Sequence, residues 1–277
     1  TFDVYQRRNF DEIAPTVTQL YGTAYANVGS MKSWGEELSI SSTNVKTNDF
    51  SWQTSLIYSH NRTEITDLYN QGRVIDLVQG NGFAKQGYPA RALFSIPFVG
   101  INEKGNPVCI NEKGQATVGD LNFQERNNTD YLIYEGSTDP IYNGSLGNTF
   151  NYKGFHLNLF LTYAFGNVVR LDPVFKAKYN DLTSMTHDFK NRWMQPGDEN
   201  VTNVPGVVSR YEYEQNRTLL STAYNAYNYT SVRTAKGDFI RLKEISLAYD
   251  FPHRWLENSP VNNISLKLQA TNLMLLY

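Results

Sequence analysis

Residues 155–165, FHLNLFLTYAF, carry a large apolar side chain at every odd position. These side chains are Phe155, Leu157, Leu159, Leu161, Tyr163 and Phe165. Because side chains alternate faces along a β-strand, the pattern predicts one strand with a continuous apolar face and a mixed face bearing His156, Asn158 and Thr162. Ten steps of about 3.3 Å, tilted by about 40°, rise roughly 25 Å, which is the height of the lipid-facing band of a transmembrane β-barrel.

The same period of two recurs in other segments. Residues 50–58 alternate with Phe50, Trp52, Leu56 and Tyr58 on one face, and residues 263–271 with Ile264, Leu266 and Leu268. Residues 239–251 alternate with Leu247 and Tyr249, but Arg241 and Lys243 fall on the same parity. A cation at the bilayer midplane of a barrel costs about 2–4 kcal/mol, so we expect these two cations at or above the headgroup level.

Composition excludes several classes of protein. Aromatic residues make up 14% of the chain while the mean hydropathy is −0.48, and no run approaches the roughly 18 apolar residues of a spanning helix. A barrel strand needs an apolar residue only at every second position.

The net charge of −2 provides no basic field for nucleic acid. The single cysteine, Cys109, is expected to be a buried or loop thiol without chemical consequence.

Connections between the alternating segments are predicted to have two sizes. Residues 151–154 form a tight turn, and 251–262 a compact one with room for a short helical piece at 253–257. Residues 66–139 and 174–229 are long loops, the second with a helix-like stretch at 181–193; such loops are usually functional. INEKG, at 101–105 and again at 110–114, predicts successive corners of a small hairpin.

Several motifs occur in one collinear order. They are NVGSMKSWGEELSI at 27–40, GYPARALFSIPFVGINEKGNP at 87–107, YNGSLGNTFNYKGFHLNLFLTYAFG at 142–166, RWMQPGDEN at 192–200, GDFIRLKEISLAYDFP at 237–252 with Trp255 after it, and ISLKLQATNL at 264–273. This series resembles the C-terminal half of the barrel of SusC/RagA-type TonB-dependent outer-membrane transporters.

The resemblance implies an all-β fold, a transmembrane antiparallel barrel with long extracellular loops. Residues 1–277 would be one partial barrel domain, about ten strands of a 22-stranded barrel, and we expect the plug and the final strands to lie outside this chain. It implies a multi-pass protein of the Gram-negative, Bacteroidetes-type outer membrane. Its function would be import of a large nutrient, an oligosaccharide or a peptide. The implied partners are outer-membrane lipid, a SusD-like surface lipoprotein, and TonB through segments not in this chain.

Two sets of residues are candidates for contact with the surroundings. The lipid-facing set is Phe50, Trp52, Leu56, Tyr58, Phe155, Leu157, Leu159, Leu161, Tyr163, Phe165, Leu247, Tyr249, Leu266 and Leu268. The set for binding substrate or partner comes from the tyrosine-rich loop: Arg210, Tyr211, Tyr213, Arg217, Tyr224, Tyr227 and Tyr229. Tyrosine rings can stack on sugars or pack against peptides, although the same rings could instead belong to an aromatic girdle or pack the loop on itself.

Catalytic, cofactor and metal signals are not found. The sequence has no GxSxG elbow, phosphate-binding GxxxxGK[ST] loop or HExxH pair, so we predict neither an enzyme nor a bound cofactor. Asp198 and Glu199 could touch Ca²⁺, but a solvated loop is the simpler interpretation. The main alternative is a soluble β-sandwich that binds carbohydrate, since a sandwich also buries one face of each strand. Sandwich strands are typically about 5–6 residues long, shorter than the segments here.

Overall fold

The computed structural model describes residues 1–18, 22–179, 184–257 and 260–277, with the side chains of 13–18 and 22–28 left out. The described strands are β1 (Phe2–Thr18), β2 (Gly22–Lys46), β3 (Phe50–Leu68), β4 (Ala92–Ser95), β5 (Phe98–Ile101), β6 (Pro107–Ile110), β7 (Ala116–Thr117), β8 (Ile133–Ser137), β9 (Tyr142–Tyr152), β10 (Phe155–Phe165), β11 (Val168–Arg170), β12 (Thr234–Lys236), β13 (Phe239–Asp250) and β14 (Ser265–Leu275). The helices are α1 (Val74–Val78), α2 (Arg210–Gln215) and α3 (Arg217–Asn228), with 3-10 turns at His187–Asn191, Asp198–Asn200, Ser231–Arg233 and His253–Trp255.

One antiparallel sheet dominates the fold. It has seven strands in the order β1-β2-β3-β9-β10-β13-β14, and it does not close on itself. We expected about ten such strands. The remaining strands are short and form three small sheets, β4-β8, β5-β6-β7 and β11-β12, within the two long connections. The main sheet is therefore an open section of a barrel wall, which confirms the predicted fold class.

Register places the whole predicted lipid-facing set on one face of this sheet. In the row next to the turns 47–49 and 153–154, Phe50 pairs with Tyr152, Tyr152 with Phe155, and Phe155 with Tyr249. Directly paired residues share a face. Every odd-numbered residue of β10, from Phe155 to Phe165, pairs with a β9 residue on this same face. We call this the outer face and its opposite the inner face. That the outer face meets lipid remains a prediction.

A β-bulge in β13 corrects the expected position of its cations. Phe160 pairs with Glu244 but Leu161 pairs with Leu242, so Lys243 is an extra residue. A bulge reverses the alternation beyond it, which places Leu242 on the outer face and Arg241 on the inner face. Arg241 therefore does not have to lie at the headgroup level, as the unbroken alternation predicted. Lys243 itself donates from Nζ to Oδ1 of Asn272, 2.8 Å away in β14.

The wall contains one close approach that only glycine permits. A Cβ on Gly144 would lie 2.1 Å from the carbonyl oxygen of Ile57 and 2.6 Å from the hydroxyl of Tyr163. The Tyr163 ring crosses β9 at this point and its hydroxyl donates to the Ile57 carbonyl at 3.3 Å. An aromatic ring packed over a strand glycine fixes the register of the neighbouring strands, which here are β3, β9 and β10.

The two ends of the sheet differ strongly. Turns 47–49 and 153–154 and the compact segment 251–264 join strands at one end, and the last contains the predicted helical piece as a 3-10 turn at His253–Trp255. Connections 69–141 and 166–238 both leave from the other end because successive strands are antiparallel. This arrangement confirms the two loop sizes predicted from the sequence.

Both hydrophobic cores of the described residues lie in the long connections. The larger contains Val74, Leu77, Val78, Ala92, Phe94, Ile96, Cys109, Leu121, Leu132 and Ala226, and the smaller contains Ala177, Leu220, Ala223 and Tyr224. None of these residues belongs to the seven-stranded sheet. The outer face of a sandwich sheet would be buried against a second sheet. The cores of the described residues therefore do not have the position that a sandwich requires.

One local prediction in the second connection is wrong. The helix-like stretch 181–193 forms only a 3-10 turn, His187–Asn191, while 181–183 lie outside the described residues. The turn begins without a side-chain cap and ends at Arg192, whose backbone is extended. A segment this short has too few hydrogen bonds to propagate an α-helix.

No helix in the described part of the chain is long and apolar enough to cross a membrane.

Candidate functional site

Arg170 joins the two long connections into one body, which we call the loop body (69–141 and 166–238). Its Nη1 donates to the carbonyl of Thr230 at 2.7 Å and its Nη2 to the carbonyl of Phe94 at 2.6 Å. Its Nε donates to the carbonyl of Val78 at 3.2 Å, and Nη2 also to Oγ of Ser95 at 3.0 Å. Burial lowers the pKa of the guanidinium to about 10, so it stays charged at neutral pH.

The repeated NEKG corners form as predicted. Oδ1 of Asn102 accepts from the backbone N–H groups of Lys104 and Asn106, at 3.0 and 2.9 Å. Asn111 repeats the arrangement nine residues on, and the strands between the corners make the three-stranded meander β5-β6-β7. Asparagine side chains that mimic a backbone turn in this way explain why the repeat needs that residue.

The RWMQPGDEN segment packs against the first of these corners. The Trp193 ring packs directly on Gly105, where an added Cβ would lie only 2.4 Å from Cε3 of the ring. Nε1 of Trp193 donates to Glu199 at 2.9 Å. This bond lowers the pKa of the Glu199 carboxyl. Oδ2 of Asp198 accepts from the backbone N–H groups of Met194 and Gln195. The two carboxylates therefore fold their own loop, and the described residues contain no group of three or more potential metal ligands.

The tyrosine-rich segment is helical, which corrects part of the predicted binding set. Ser209 caps α2 by accepting from the N–H of Glu212 at 3.2 Å. On α3, Tyr224 and Tyr227 stand three residues apart and share a face that is buried, with exposed fractions of 1% and 2%. Tyr224 donates to the carbonyl of Gly206, and Tyr227 packs edge-on against Phe175. These two rings are core residues and are not available to a ligand.

The remaining candidates lie on the surface or near it. Arg210, Tyr211 and Arg217 are exposed, Tyr211 to 78%. Tyr229 is half-buried and meets Phe123 edge-on, with ring centres 6.1 Å apart. The structure thus brings the exposed candidates together on α2 and the first turn of α3, while Tyr229 belongs to the packing at the other end of α3.

Tyr213 lines a cleft of about 290 Å³ between α3 and residues 173–178, which we call the Tyr213 cleft. Its hydroxyl lies 3.3 Å from Oγ of Ser221, and Nζ of Lys178 lies 5.7 Å from its ring centre. The hydrogen bonds from Ser221 and Arg217 lower the pKa of the phenol. Lys176 and Asn225 complete the polar lining. Cations, a phenol and an amide around one cleft can bind a carboxylate or a hydroxyl-rich group.

The lysines of this cleft were missed by sequence reasoning. In FKAKY, Phe175 and Ala177 are buried while Lys176 and Lys178 are exposed. The alternation of apolar and basic residues over these positions was the available signal, but it also fits an ordinary surface strand.

Comparison with known proteins gives the same assignment. TonB-dependent receptor P3 of Formosa agariphila is 23% identical over 298 residues, which cover 99% of this chain and 27% of that receptor. TonB-dependent receptor P26 of the same organism is 25% identical over 270 residues, covering 92% of this chain and 26% of that receptor. The chain is a relative of TonB-dependent receptors. It spans about 27% of the length of the curated relatives it matches. No family model matches it.

Solved structures share the fold. The RagAB peptide transporter superposes with a TM-score of 0.71 at 20% identity, over 99% of this chain and 29% of that one. The RagAB peptide importer in its closed-closed state gives 0.71 at 22% identity, over 100% of this chain and 30% of that one. The predicted resemblance to SusC/RagA-type TonB-dependent transporters is thereby confirmed.

Proposed function

We propose that this chain is the wall and extracellular loop section of an outer-membrane importer. The whole protein would take up a large nutrient, an oligosaccharide or a peptide, and would couple uptake to TonB through segments outside this chain. It would be a transport protein and not an enzyme. Residues 1–277 would belong to a single β-barrel domain in a Gram-negative outer membrane of the Bacteroidetes type.

The loop body is the observation that carries this proposal. Both long connections leave the same end of the sheet, and their segments share one core in which Val74, Phe94 and Ala226 are buried together. Short turns at one end and long loops at the other are typical of outer-membrane barrels. A folded body at the mouth of a barrel can hold a binding surface in place, whereas a loop without a packed core could not.

Exposed apolar side chains on the loop body support a protein partner. Met194 is 64% exposed, Val201 85% and Val207 51%, all in the connection 166–238 that also bears Tyr211. Exposed apolar surface of this kind favours a protein interface. By the family resemblance, the partner would be a SusD-like lipoprotein that covers the barrel mouth.

The Tyr213 cleft supports contact with substrate. Lys176, Lys178 and Arg217 place three cations around it, against one carboxylate, Glu214, which lies 3.9 Å from Nζ of Lys178. This excess of positive charge favours carboxylate-bearing ligands, and the phenol and Asn225 can bind hydroxyl groups. Tyr211, two residues before Tyr213 on α2, has an exposed ring.

The test uses the full-length receptor with Tyr211→Ala and Tyr213→Ala. We expect the affinity for the lipoprotein, or for a mixture of peptides or oligosaccharides taken up by the wild type, to fall about tenfold, the result of losing about 1.4 kcal/mol. Tyr69→Ala, at a tyrosine 61% exposed elsewhere in the loops, is the matched control. Unchanged affinity and uptake in correctly folded double variants would refute this binding surface.

A further inference from the structure

A cavity of about 580 Å³ opens where β3 continues beyond the first residue of β9. Its volume lies within the range of small-molecule sites, about 300–1,000 Å³. Trp34, Tyr88 and Tyr134 supply its aromatic lining, and Pro89 and Pro140 stiffen the backbone around it. We call it the wall cavity. It is separate from the Tyr213 cleft and contains none of the residues of the predicted lipid-facing or binding sets.

Part of the lining of the wall cavity belongs to the outer face. Trp34 pairs with Arg62 across β2 and β3, and Arg62 has the same parity as Tyr58 in an unbroken register. Between Tyr58 and Arg62 on the same strand, the ring of His60 stacks on that of Tyr142, with ring centres 4.9 Å apart. Four residues beyond Tyr58 amount to about 13 Å along a strand, or about 10 Å in height at a barrel tilt. If the outer face meets lipid, the cavity opens at the level of the outer headgroups.

Its aromatic wall is preformed. Tyr88 and Tyr134 lie 4.9 Å apart, and both rings pack on Phe94, which is buried in the core of the loop body. The Nε1 of Trp34 and the hydroxyls of Tyr88 and Tyr134 form no hydrogen bond with the described residues. The rings of Tyr88 and Tyr134 are thereby held in place, and Nζ of Lys32 lies 5.5 Å from the centre of the Trp34 ring. Aromatic rings with unused polar tips suit a sugar, which offers both C–H faces and hydroxyl groups.

The wall cavity also contains an uncommitted cation. Its two carboxylates are engaged, Glu64 by Lys32 at 2.8 Å and Asp139 by Arg91 at 2.7 Å. The guanidinium of Arg62 forms neither an ion pair nor a hydrogen bond within the described part of the chain. A guanidinium in this position favours a phosphate or carboxylate substituent on the sugar.

The strand edge adds backbone groups to the same space. The N–H of Asn61 donates to the carbonyl of Ile141 at 2.9 Å, and that of Ile65 to the carbonyl of Tyr88 at 2.9 Å. Thr63 lies between them, and by the alternation of a strand its N–H and carbonyl point to the same edge. The backbone N–H and carbonyl of Thr63 therefore face the cavity and can pair with a ligand amide or hydroxyl.

We propose that the wall cavity binds the acidic sugar headgroup of an outer-leaflet glycolipid. The sugar ring stacks on Trp34 and Tyr134, its anionic substituent pairs with Arg62, and its acyl chains lie along the apolar rows of the outer face below. This rests on the proposed placement of that face in an outer membrane. It assigns to the receptor a lipid site on the wall, apart from the path of the imported nutrient.

The experiment is native mass spectrometry of the full-length receptor in mild detergent, with a short-chain lipopolysaccharide as the probe. The wild type should retain the glycolipid, and Trp34→Ala combined with Tyr134→Ala should lower retention at least tenfold. Arg62→Gln should weaken binding of the phosphorylated probe severalfold and leave a dephosphorylated probe unaffected. Tyr69→Ala should behave as the wild type. Should the double variant fail to fold, the Arg62→Gln comparison decides alone.

Equal retention by the wild type and the folded double variant would overturn the proposal. Equal affinity for the free headgroup oligosaccharide would also overturn it, because the site would then take a soluble sugar. Nutrient uptake separates this inference from the proposed function. Normal uptake without glycolipid retention refutes only the lipid site, whereas retention without any uptake refutes only the import function.

Discussion

The wall and the loop body are stabilised by different means. The seven-stranded sheet alternates apolar and polar faces and contributes no residue to either hydrophobic core, whereas the loop body buries Phe94, Phe175 and Tyr227 almost completely. The loop body therefore carries its own core, while the wall depends on what surrounds it. In water, the outer face would leave a large apolar area exposed; in lipid, the same face lowers the free energy of the folded state.

The largest effect is expected at Arg170, the residue that holds the loop body together. Arg170→Met would leave the carbonyls of Val78, Phe94 and Thr230 without their donor, at about 1–3 kcal/mol for each one that water cannot reach. Hydrogen exchange of the full-length receptor should show a loop body destabilised by about 3 kcal/mol or more, with the strands unchanged.

Arg91→Met is the matched control, because its exposed ion pair with Asp139 is worth about 1 kcal/mol at most. If both variants loosened the loop body equally, the clamp at Arg170 would be no more than a surface contact. If the strands lost protection together with the loops, the two regions would not be independent.

The next effect tests the wall. Leu159→Arg places a cation near the middle of the outer face and should cost about 2–4 kcal/mol in a membrane. Asn158→Arg, one residue away on the inner face, should be tolerated. Heat-modifiability on a denaturing gel reports assembly of the barrel. Similar yields of folded protein from the two variants would contradict the assignment of faces.

A smaller effect is expected at the glycines of β9. Gly144→Ala meets the backbone carbonyl of Ile57 and should lower stability by about 1–3 kcal/mol. Gly147→Ala mainly meets Oγ of Ser55, which can rotate away, so its cost should stay below about 1 kcal/mol and decrease further with Ser55→Ala. Chemical denaturation of the full-length receptor in lipid gives both values, and the reverse order would show that β9 and β10 are not packed as described.

The smallest effect concerns the thiol in the loop body. Cys109 is 3% exposed and burial raises its pKa to about 12, so hardly any thiolate exists at pH 8. Alkylation by iodoacetamide should be negligible in the folded receptor and complete after denaturation. Rapid labelling of the native protein would mean that the core around Cys109 opens readily.

The sequence predicted the wall much better than the loop body. Alternation over 155–165 suffices to place Leu157 and Leu159 on one face, because a strand face is determined by parity alone. The parity argument failed at Arg241, since one extra residue at Lys243 reverses it and no local signal marks the bulge. Motif order supplied the fold that alternation left open between a barrel and a sandwich.

In the loop body, composition suggested the right segment but assigned some of its residues wrongly. Tyr211 and Tyr224 look alike in the sequence, and only the helical spacing of α3 and the packing of Tyr224 beneath Gly206 separate a surface ring from a core ring. The wall cavity was not predictable, because it joins Trp34, Tyr88 and Tyr134 from three distant segments. Tertiary contacts of this kind leave no period in a sequence.

The measurement that tests the account most directly is spin-label accessibility along β10 in the full-length receptor, reconstituted in lipid with Cys109 replaced by serine. Single cysteines are placed at each position of Phe155–Phe165 and labelled. Labels at odd positions should be accessible to oxygen dissolved in the bilayer, and labels at even positions should not. This period of two, in phase with Leu157, Leu159 and Leu161, is the predicted result. Accessibility without alternation, or with the opposite phase, would contradict a barrel wall whose outer face meets lipid.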